Sequence, residues 1–282
     1  MKQARSNPVA PTSRWMAAAR ARETEREDRL FHDPLAAILA GDEGFAWLER
    51  MESTVSSTTN GPGMYAVIRT RFFDDFLLDA CERSGVRQVV LAAAGLDTRA
   101  FRLDWPPGVR LYEMDLPEVL DHKEAVIGAT GAQPSCGRRT VPVDLKKDTW
   151  PEALLEAGYD ADKPSVWLVE GLIFYLPREA VRSLLDKIGG LANSGSRLGL
   201  DLMNWNLLFS PMAWPQLSAL ARRGARGRFG TNAPEEFLAR HGWEATATQP
   251  GEEQANFDRL TPPVPRGVPG IPRSFFVTAN RP

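Results

Sequence analysis

The sequence predicts an α/β fold in which a mostly parallel sheet carries helices on both faces. Short apolar runs rich in β-forming residues recur along the chain, and helical stretches separate them. This alternation predicts a parallel sheet, because each crossover between parallel strands needs a long connection. The 282 residues are enough for one large domain or two small ones. Because no linker interrupts the pattern, we expect a single domain over 1–282.

The first 83 residues are predicted to form an N-terminal cap of three helices. A charge-rich helix is expected over 15–30, and the motif Phe31-His32-Asp33-Pro34 ends it, because the residue before a proline disfavours helical angles. A second helix is expected over 35–51. A polar, glycine-bearing loop over 53–63 then leads to a third helix over 65–83.

The pattern over 84–282 predicts a Rossmann-like core. Its strands are expected over 88–94, 110–115, 139–145, 165–173, 197–203, 245–249 and 274–280. Helices are expected between them over 118–130, 150–157 and 178–191. The segment 203–230 follows the fifth strand and is rich in aromatic and Met residues, which favours an apolar wall or lid. Ordinary helix packing is the alternative for that segment.

Polar residues and glycine follow the predicted strands at the edge where an open α/β sheet binds ligands. The first strand ends at Gly95, and a glycine there lets the backbone approach a ligand closely. The second strand ends at Asp115, twenty residues later. A carboxylate at this place accepts hydrogen bonds from ribose hydroxyls in the dinucleotide-binding arrangement. The alternative is that Asp115 caps the helix that starts near Pro117.

The third and fourth strands also end in acidic residues. Asp144-Leu145 follows the third strand, where the acid can accept the adenine amino group while the leucine packs on the ring. Glu170-Gly171 follows the fourth strand. Acidic residues at the ends of successive strands predict an adenosine pocket.

S-adenosylmethionine is the cofactor that suits this pocket. A nicotinamide dinucleotide needs several close backbone donors for its pyrophosphate, whereas the loop after the first strand has a single glycine. S-adenosylmethionine has no phosphate, and Arg69 is expected to bind its carboxylate in a bidentate contact. Three alternatives stay open: a surface role for Arg69, a nicotinamide-dependent oxidoreductase, and a methyltransferase-like domain kept only for binding.

Seven short motifs occur in order along the chain, within a stretch from about Arg20 to Ala279. They are FHDP (31–34), RTRFFDD (69–75), VLAAAGLDTRAFR (90–102), YEMDLP (112–117), VDL (143–145), EGLIFYLP (170–177) and PEEFL (234–238). In this combination the sequence resembles the leucine carboxyl methyltransferase family. It is most similar to the family's bacterial branch of S-adenosylmethionine-dependent methyltransferases.

The resemblance implies a class I methyltransferase sheet of seven strands with the last one antiparallel. It also implies a cofactor site made by Arg69, Gly95, Asp115, Asp144, Leu145 and Glu170, beside which we expect Asp97, Leu116 and Gly171 as cofactor contacts. Arg20 corresponds to a basic residue of the family's N-terminal helix that reaches over the site, and Arg22 is the alternative. One departure is Ala92-Ala93-Ala94-Gly95, where many members have a second glycine.

We expect catalysis by proximity, with no residue acting as a general base and no metal ligand. A sulfonium is a good leaving group, and a carboxylate acceptor is already anionic at neutral pH, although a phenol would need a base. Acceptor contacts are expected from Tyr65, Tyr175, Asn204 and Trp205. The expected reaction is O-methylation of a carboxylate or hydroxyl of a small, partly hydrophobic, polyketide-like secondary metabolite. Methyl esterification of a protein C-terminal carboxylate is the alternative.

The bulk composition predicts a cytoplasmic protein without nucleic-acid or membrane partners. A net charge of −2 gives no general attraction for nucleic acid or anionic lipid. No stretch approaches the roughly 20 apolar residues of a membrane span, and no apolar signal core is found near the N-terminus. Cys81 and Cys136 are expected to be reduced thiols. A monomer or a homodimer is expected.

Overall fold

The centre of the fold is a seven-stranded sheet. A computed structural model describes residues 11–53, 61–211, 213–222 and 226–282. The strand order is β3-β2-β1-β4-β5-β7-β6, and β7 runs antiparallel to both of its neighbours while the other pairs are parallel. The strands are β1 (Gln88–Ala92), β2 (Arg110–Asp115), β3 (Gly137–Pro142), β4 (Val166–Val169), β5 (Arg197–Met203), β6 (Glu244–Thr248) and β7 (Ser274–Asn280). The predicted α/β sheet is confirmed.

The helices precede and connect the strands. They are α1 (Pro11–Thr24), α2 (Ala36–Glu52), α3 (Pro62–Glu82), α4 (Arg99–Arg102), α5 (Pro117–Gly128), α6 (Trp150–Glu156), α7 (Arg178–Leu191), α8 (Trp205–Leu208), α9 (Trp214–Ala221) and α10 (Pro234–Ala239). Within the described ranges, none of them is long and apolar enough to span a membrane. Most of the predicted loop 53–63 lies outside the described residues, and so do 212 and 223–225 of the segment 203–230.

Helix α1 is shorter and more buried than its charged sequence predicts. It ends at Thr24 and not at residue 30, because Thr24 and Glu23 bond to the turn that follows. The Thr24 hydroxyl accepts from Asp33 N, and Glu23 Oε1 accepts from Leu30 N at 2.7 Å. The alanines over 17–19 are at most 2% exposed and pack against α2. Small residues let the two helices approach closely: a Cβ on Gly44 of α2 would lie 2.6 Å from the Arg14 carbonyl oxygen.

Helices cover both faces of the sheet, so its central strands β1 and β4 are buried along their whole length. On one face Trp150 of α6 packs with Trp167 of β4. On the other face Phe73 and Phe76 of α3 pack with Phe276 of β7. Helix α3 therefore lies across the sheet, and its first half reaches the carboxyl ends of the parallel strands. The chain leaves β3 and crosses to β4 beside β1, which makes the β1–β4 gap the point where ligands bind in open α/β sheets.

Candidate functional site

A cavity of about 910 Å³ opens at the carboxyl ends of the parallel strands. Its size is in the range of ordinary ligand sites. Residues of α1 and α3, the loops after β1, β2 and β4, and the segment after β5 form its walls. Ten of the fourteen predicted site residues line it: Arg20, Tyr65, Arg69, Gly95, Asp97, Asp115, Leu116, Glu170, Gly171 and Tyr175.

The loop after β1 bends sharply around the Asp115 carboxylate. Strand β1 ends at Ala92 because Ala93 has a φ of 61°, in the left-handed region, and Gly95 has a φ of 48°. Asp115 Oδ2 accepts from Gly95 N, and Oδ1 accepts from Leu116 N, both at 2.7 Å. Helix α5 begins with Leu116 as its N-cap residue and without a side-chain cap. Asp115 therefore joins the ends of β1 and β2 at the cavity and is not a helix cap.

Burial raises the pKa of Asp115 above its ordinary value, although the bonds from Gly95 N and Leu116 N work in the opposite direction. The ion pairs of the described residues do not include this carboxylate. Asp115 is therefore a polar group in the cavity wall that is held in place by backbone amides.

Beside Asp115, a buried network of arginines and carboxylates forms the floor of the cavity. Arg99, whose side chain is 3% exposed, pairs with Asp74 at 2.7 Å, with Glu170 at 2.9 Å and with Asp97. Arg69 Nε lies 2.8 Å from Glu170 Oε1, and Arg69 Nη1 donates to Asp201 Oδ2 at 2.6 Å. Glu170 thus bridges the two arginines. Gly171, with a φ of 70°, follows it and brings the backbone against the Arg69 guanidinium.

The charges of this network are fixed at neutral pH. Burial alone would raise the pKa of Glu170, but Arg99 and Arg69 outweigh it and hold that pKa below its ordinary value. Burial alone would lower the pKa of Arg69, but Asp201 and Glu170 outweigh it and raise it. The pKa of Asp97 is lowered in the same way by Arg99. Arg102 also pairs with Asp74, at 2.6 Å, so the floor combines carboxylates and arginines, of which Asp97, Glu170, Arg69, Arg99 and Arg102 line the cavity.

Arg20 ties the N-terminal helix to this floor. Its Nε donates to Asp33 Oδ2 at 2.8 Å, and its Nη2 donates to the Leu96 carbonyl oxygen, in the loop after β1, at 2.7 Å. Arg22 instead faces α2, where its Nη1 donates to Glu52 at 2.7 Å. Of the two alternatives from the sequence, Arg20 is the one that reaches the cavity.

Four predicted site residues lie outside the cavity lining. Asp144 accepts from Lys146 N at 3.0 Å, and Leu145 packs against the core, while Lys146 lines the cavity. Asn204 caps α8 by accepting from Leu207 N, and its amide donates to the Ile271 carbonyl oxygen. Trp205 stacks on Phe209 at a centroid distance of 6.0 Å. The Asn204 side chain therefore stabilises the fold of the segment after β5 and does not itself line the cavity.

Part of the cavity lining is apolar. It includes Met16, Met51, Phe174, Met203, Leu207 and Leu217. Tyr65 and Tyr175 also line the cavity, and burial raises the pKa of both hydroxyls. The tyrosine hydroxyls are therefore protonated at neutral pH.

Two of the histidines lie outside the cavity lining. His122 lies 3.1 Å from Arg14, and His241 lies 2.7 Å from Asp186.

Sequence reasoning missed Arg99 and Arg102, which line the cavity, and Asp201, which lies beneath the floor. Arg99 stands in the motif after β1 that carried the resemblance, but two of its three carboxylate partners, Asp74 and Glu170, come from distant segments. Asp201 gave a signal that could have been used, since it is a charged residue inside the apolar run Leu198–Leu202. A charge at a fully buried strand position requires a partner.

The sequence model of a family described as "Leucine carboxyl methyltransferase" matches residues 13–189, more than half of the chain. The chain belongs to this family. The matched stretch runs from α1 into α7 and contains every lining residue of the charged floor named above, while Asp201 lies beyond it. The predicted family is confirmed.

Bacterial proteins named "Putative S-adenosyl-L-methionine-dependent methyltransferase" are similar to this member of the leucine carboxyl methyltransferase family over most of its length. One from Mycobacterium avium is 38% identical and covers 97% of this chain and 95% of its own. One from Streptomyces avermitilis is 40% identical and covers 93% and 95%. One from Frankia alni is 47% identical over 69% of this chain and 70% of its own.

Two crystal structures have the same fold. A DUF574 family protein from Streptomyces avermitilis has a TM-score of 0.63 at 14% identity, covering 98% of this chain and 99% of its own. A protein from Thermobifida fusca described as a "putative methyltransferase" has a TM-score of 0.61 at 17% identity, covering 90% and 94%. At this identity the likeness concerns the fold alone. It confirms the predicted class I Rossmann-like architecture.

The donor set of the cavity fits the cofactor expected for the leucine carboxyl methyltransferase family. S-adenosylmethionine carries a sulfonium, an ammonium and a carboxylate group, and the cavity lining offers both the carboxylates of Asp97 and Glu170 and the guanidinium of Arg69. The left-handed turns at Gly95 and Gly171 bring backbone close to the cavity on both sides of the charged floor. Asp115 adds a fixed acceptor with its amide-held carboxylate.

Proposed function

We propose that the chain transfers the methyl group of S-adenosylmethionine to a carboxylate or hydroxyl oxygen of a small, partly hydrophobic acceptor. Family membership supports the coarser statement: the chain is an S-adenosylmethionine-dependent methyltransferase, and S-adenosylmethionine is its cofactor. The nicotinamide-dependent alternative has no support among the relatives described above. A polyketide-like secondary metabolite remains the class of acceptor that we propose.

The observation that carries this proposal is the continuity of the cavity. One space of about 910 Å³ is lined both by charged residues, among them Arg69, Asp115 and Glu170, and by apolar residues, among them Met203 and Leu217. An ionic cofactor suits the charged part of this lining, and an acceptor with an apolar body suits the apolar part. Tyr175 also lines the space, and its hydroxyl would lie beside the acceptor oxygen.

Two of the cofactor contacts follow from the chemistry of the cavity wall. Asp115 would accept hydrogen bonds from the ribose hydroxyls, and Arg69 would bind the methionine carboxylate. We retain Asp144 and Leu145, which lie outside the lining but next to the lining residue Lys146, as the adenine contacts implied by the resemblance. The bound cofactor supplies an electrophilic methyl group on a sulfonium. The chain contributes by orienting the acceptor and excluding water from the cavity.

A carboxylate acceptor is the better match to Tyr175. Because burial raises the pKa of Tyr175, its hydroxyl can donate a hydrogen bond to the acceptor but is a poor proton acceptor at neutral pH, while the Tyr65 hydroxyl already donates to Asp201. A carboxylate is ionised without a base, whereas a phenol has a pKa near 10 and would need one. Carboxyl methylation is therefore the form of the reaction that we favour.

Cofactor affinity is expected to fall as the pH is lowered from 7 towards 4. Binding requires the ionised form of Asp115, whose pKa is raised, so it takes up its proton at a higher pH than Glu170 or Asp97, whose pKa values are lowered. Below the pKa of Asp115 the loss approaches about tenfold per pH unit, as for any one-proton linkage. Calorimetric titration with S-adenosylmethionine across this range measures it. The cofactor affinity that remains in Asp115→Ala should not change with pH over this range. If its affinity fell with pH as steeply as that of the wild type, Asp115 would not be the group whose protonation weakens binding.

Substitution of Leu217 by glutamine is expected to raise the KM for the acceptor about tenfold and to leave cofactor affinity unchanged. Leu217 is an apolar residue of the cavity lining, and a polar amide there loses roughly 1–2 kcal/mol of apolar contact with the acceptor. Leu155→Gln on α6 is the matched control, because Leu155 is 43% exposed and lies outside the cavity lining. Equal KM values for the two variants would contradict the proposed acceptor site.

The proposal is tested by screening acceptors for transfer of a labelled methyl group. Aliphatic and aromatic acids, their alcohol and phenol counterparts, and peptides ending in a leucine carboxylate form the panel. Mass spectrometry of each product identifies the methylated atom. We expect methyl esters of small apolar acids. Turnover of the peptides alone would favour methyl esterification of a protein C-terminus, and N- or C-methylated products would contradict O-methylation.

A further inference from the structure

Asp201 is a fully buried carboxylate in the middle of β5, directly below the charged floor of the cavity. Three hydrogen-bond donors converge on its two oxygens. Oδ1 accepts from Gly171 N at 2.7 Å. Oδ2 accepts from Arg69 Nη1 at 2.6 Å and from the Tyr65 hydroxyl at 3.3 Å. All three donors belong to residues that line the cavity, whereas Asp201 itself does not line it.

We propose that Asp201 is a positioning residue, which holds the Arg69 guanidinium in the orientation that binds the methionine end of S-adenosylmethionine. This inference rests on the proposed role of Arg69 in cofactor binding. Asp201 acts through Arg69 and through the Gly171 turn.

Asp201 is needed because Glu170, the other carboxylate beside Arg69, is shared between two arginines. Glu170 faces Arg69 with Oε1 and Arg99 with Oε2, so it cannot turn both oxygens towards Arg69 without releasing Arg99. Asp201 binds Arg69 from the other side, at Nη1. Arg69 Nη1 is hydrogen-bonded to Asp201, whereas Nε lies 2.8 Å from Glu170 without hydrogen-bond geometry. Asp201 therefore supplies a directed hydrogen bond that orients the planar guanidinium, as bidentate recognition of a carboxylate requires.

A purely structural role is the alternative, because the Arg69–Asp201 pair also joins α3 to β5. The chain offers a matched control for that role. Asp79, also on α3, pairs with Arg197 at the start of β5 at 2.6 Å, and joins the same two elements far from the cavity. If Asp201 served only to hold α3 against β5, removing the Asp201 carboxylate and removing the Asp79 carboxylate would affect stability and cofactor affinity in the same way.

The test is Asp201→Asn, compared with Asp79→Asn and the wild-type chain. An asparagine at 201 can still accept from Gly171 N through its oxygen, but its amide group then meets the Arg69 and Tyr65 donors with hydrogens of its own. Affinities are measured by calorimetry for S-adenosylmethionine and for 5′-methylthioadenosine. The second ligand shares the adenosine and the sulfur but has no amino-acid portion.

We expect Asp201→Asn to weaken binding of S-adenosylmethionine at least about tenfold and to change binding of 5′-methylthioadenosine less than about twofold. Asp79→Asn should leave both affinities unchanged, whatever its effect on the melting temperature. Should Asp201→Asn not fold, Asp201→Ser, which leaves room for water beside Arg69, is measured with the same expectation.

Equal losses for the two ligands in Asp201→Asn, or an undiminished affinity for S-adenosylmethionine, would overturn the inference. A wild-type chain that binds S-adenosylmethionine only as well as 5′-methylthioadenosine would overturn the proposed contact between Arg69 and the methionine carboxylate instead. The two failures are therefore distinguishable in one set of titrations.

Discussion

Replacement of Asp115 by alanine is expected to lower the affinity for S-adenosylmethionine about 100-fold and to abolish turnover at micromolar cofactor. The carboxylate is held by Gly95 N and Leu116 N in a fixed position at the cavity wall. Two charge-assisted hydrogen bonds to ribose hydroxyls at about 1.5 kcal/mol each correspond to that factor. The alanine variant should keep its fold, because both amides can bond to water that enters the cavity.

Asp121→Ala is the control for this experiment, since Asp121 is an exposed carboxylate on the helix that follows Asp115. It should bind the cofactor as the wild type does. Calorimetry gives the affinities, and circular dichroism checks the fold of each variant. Undiminished cofactor affinity in Asp115→Ala would refute the role assigned to this residue.

Replacement of Arg99 by methionine is expected to lower the free energy of unfolding by about 3–5 kcal/mol, the range for removing one partner of a buried ion pair. Arg99 is 2% exposed and faces Asp74, Asp97 and Glu170. Without it, buried carboxylates repel one another with fewer cations between them. Glu170 would also lose the partner that keeps it from turning fully towards Arg69.

The effect is measured by denaturant unfolding, with Arg83→Met as the control. Arg83 is 85% exposed and pairs with Asp79 on the surface of α3 at 3.2 Å. Exposed pairs of this kind contribute at most about 1 kcal/mol. If the two variants were destabilised equally, Arg99 would not be the centre of the buried network.

The elements of the fold could be predicted from the sequence wherever local pattern and tertiary packing agree. Strands β2 and β5 have the predicted bounds, because their apolar runs are also their buried residues. Strand β1 ends two residues before the predicted position, because Ala93 adopts left-handed angles that nothing in an alanine run indicates. Helix α1 is a buried alanine helix, although its charges suggested a solvated one, because charge content does not reveal which face packs on α2.

Only part of the candidate site could be predicted, because some of its residues are grouped by the strand pattern and others only by tertiary packing. Residues that follow strands, such as Asp115 and Glu170, are brought together by the topology, so a strand pattern is enough to group them. Asp201 lies 132 positions from Arg69, and no local pattern pairs them. Asn204 was expected to face the acceptor because of its place after β5. Its side chain instead bonds to Leu207 N and Ile271 O, a choice that depends on the distant 271–273 segment.

The crystal structure of the chain with S-adenosylhomocysteine, the demethylated product, tests the central claim most directly. We predict the ribose hydroxyls within hydrogen-bond distance of the Asp115 carboxylate and the amino-acid end beside Arg69 and Gly171. A ligand bound away from the carboxyl ends of β1, β2 and β4 would contradict the account. So would a ligand in the cavity with Asp115 turned away from its ribose.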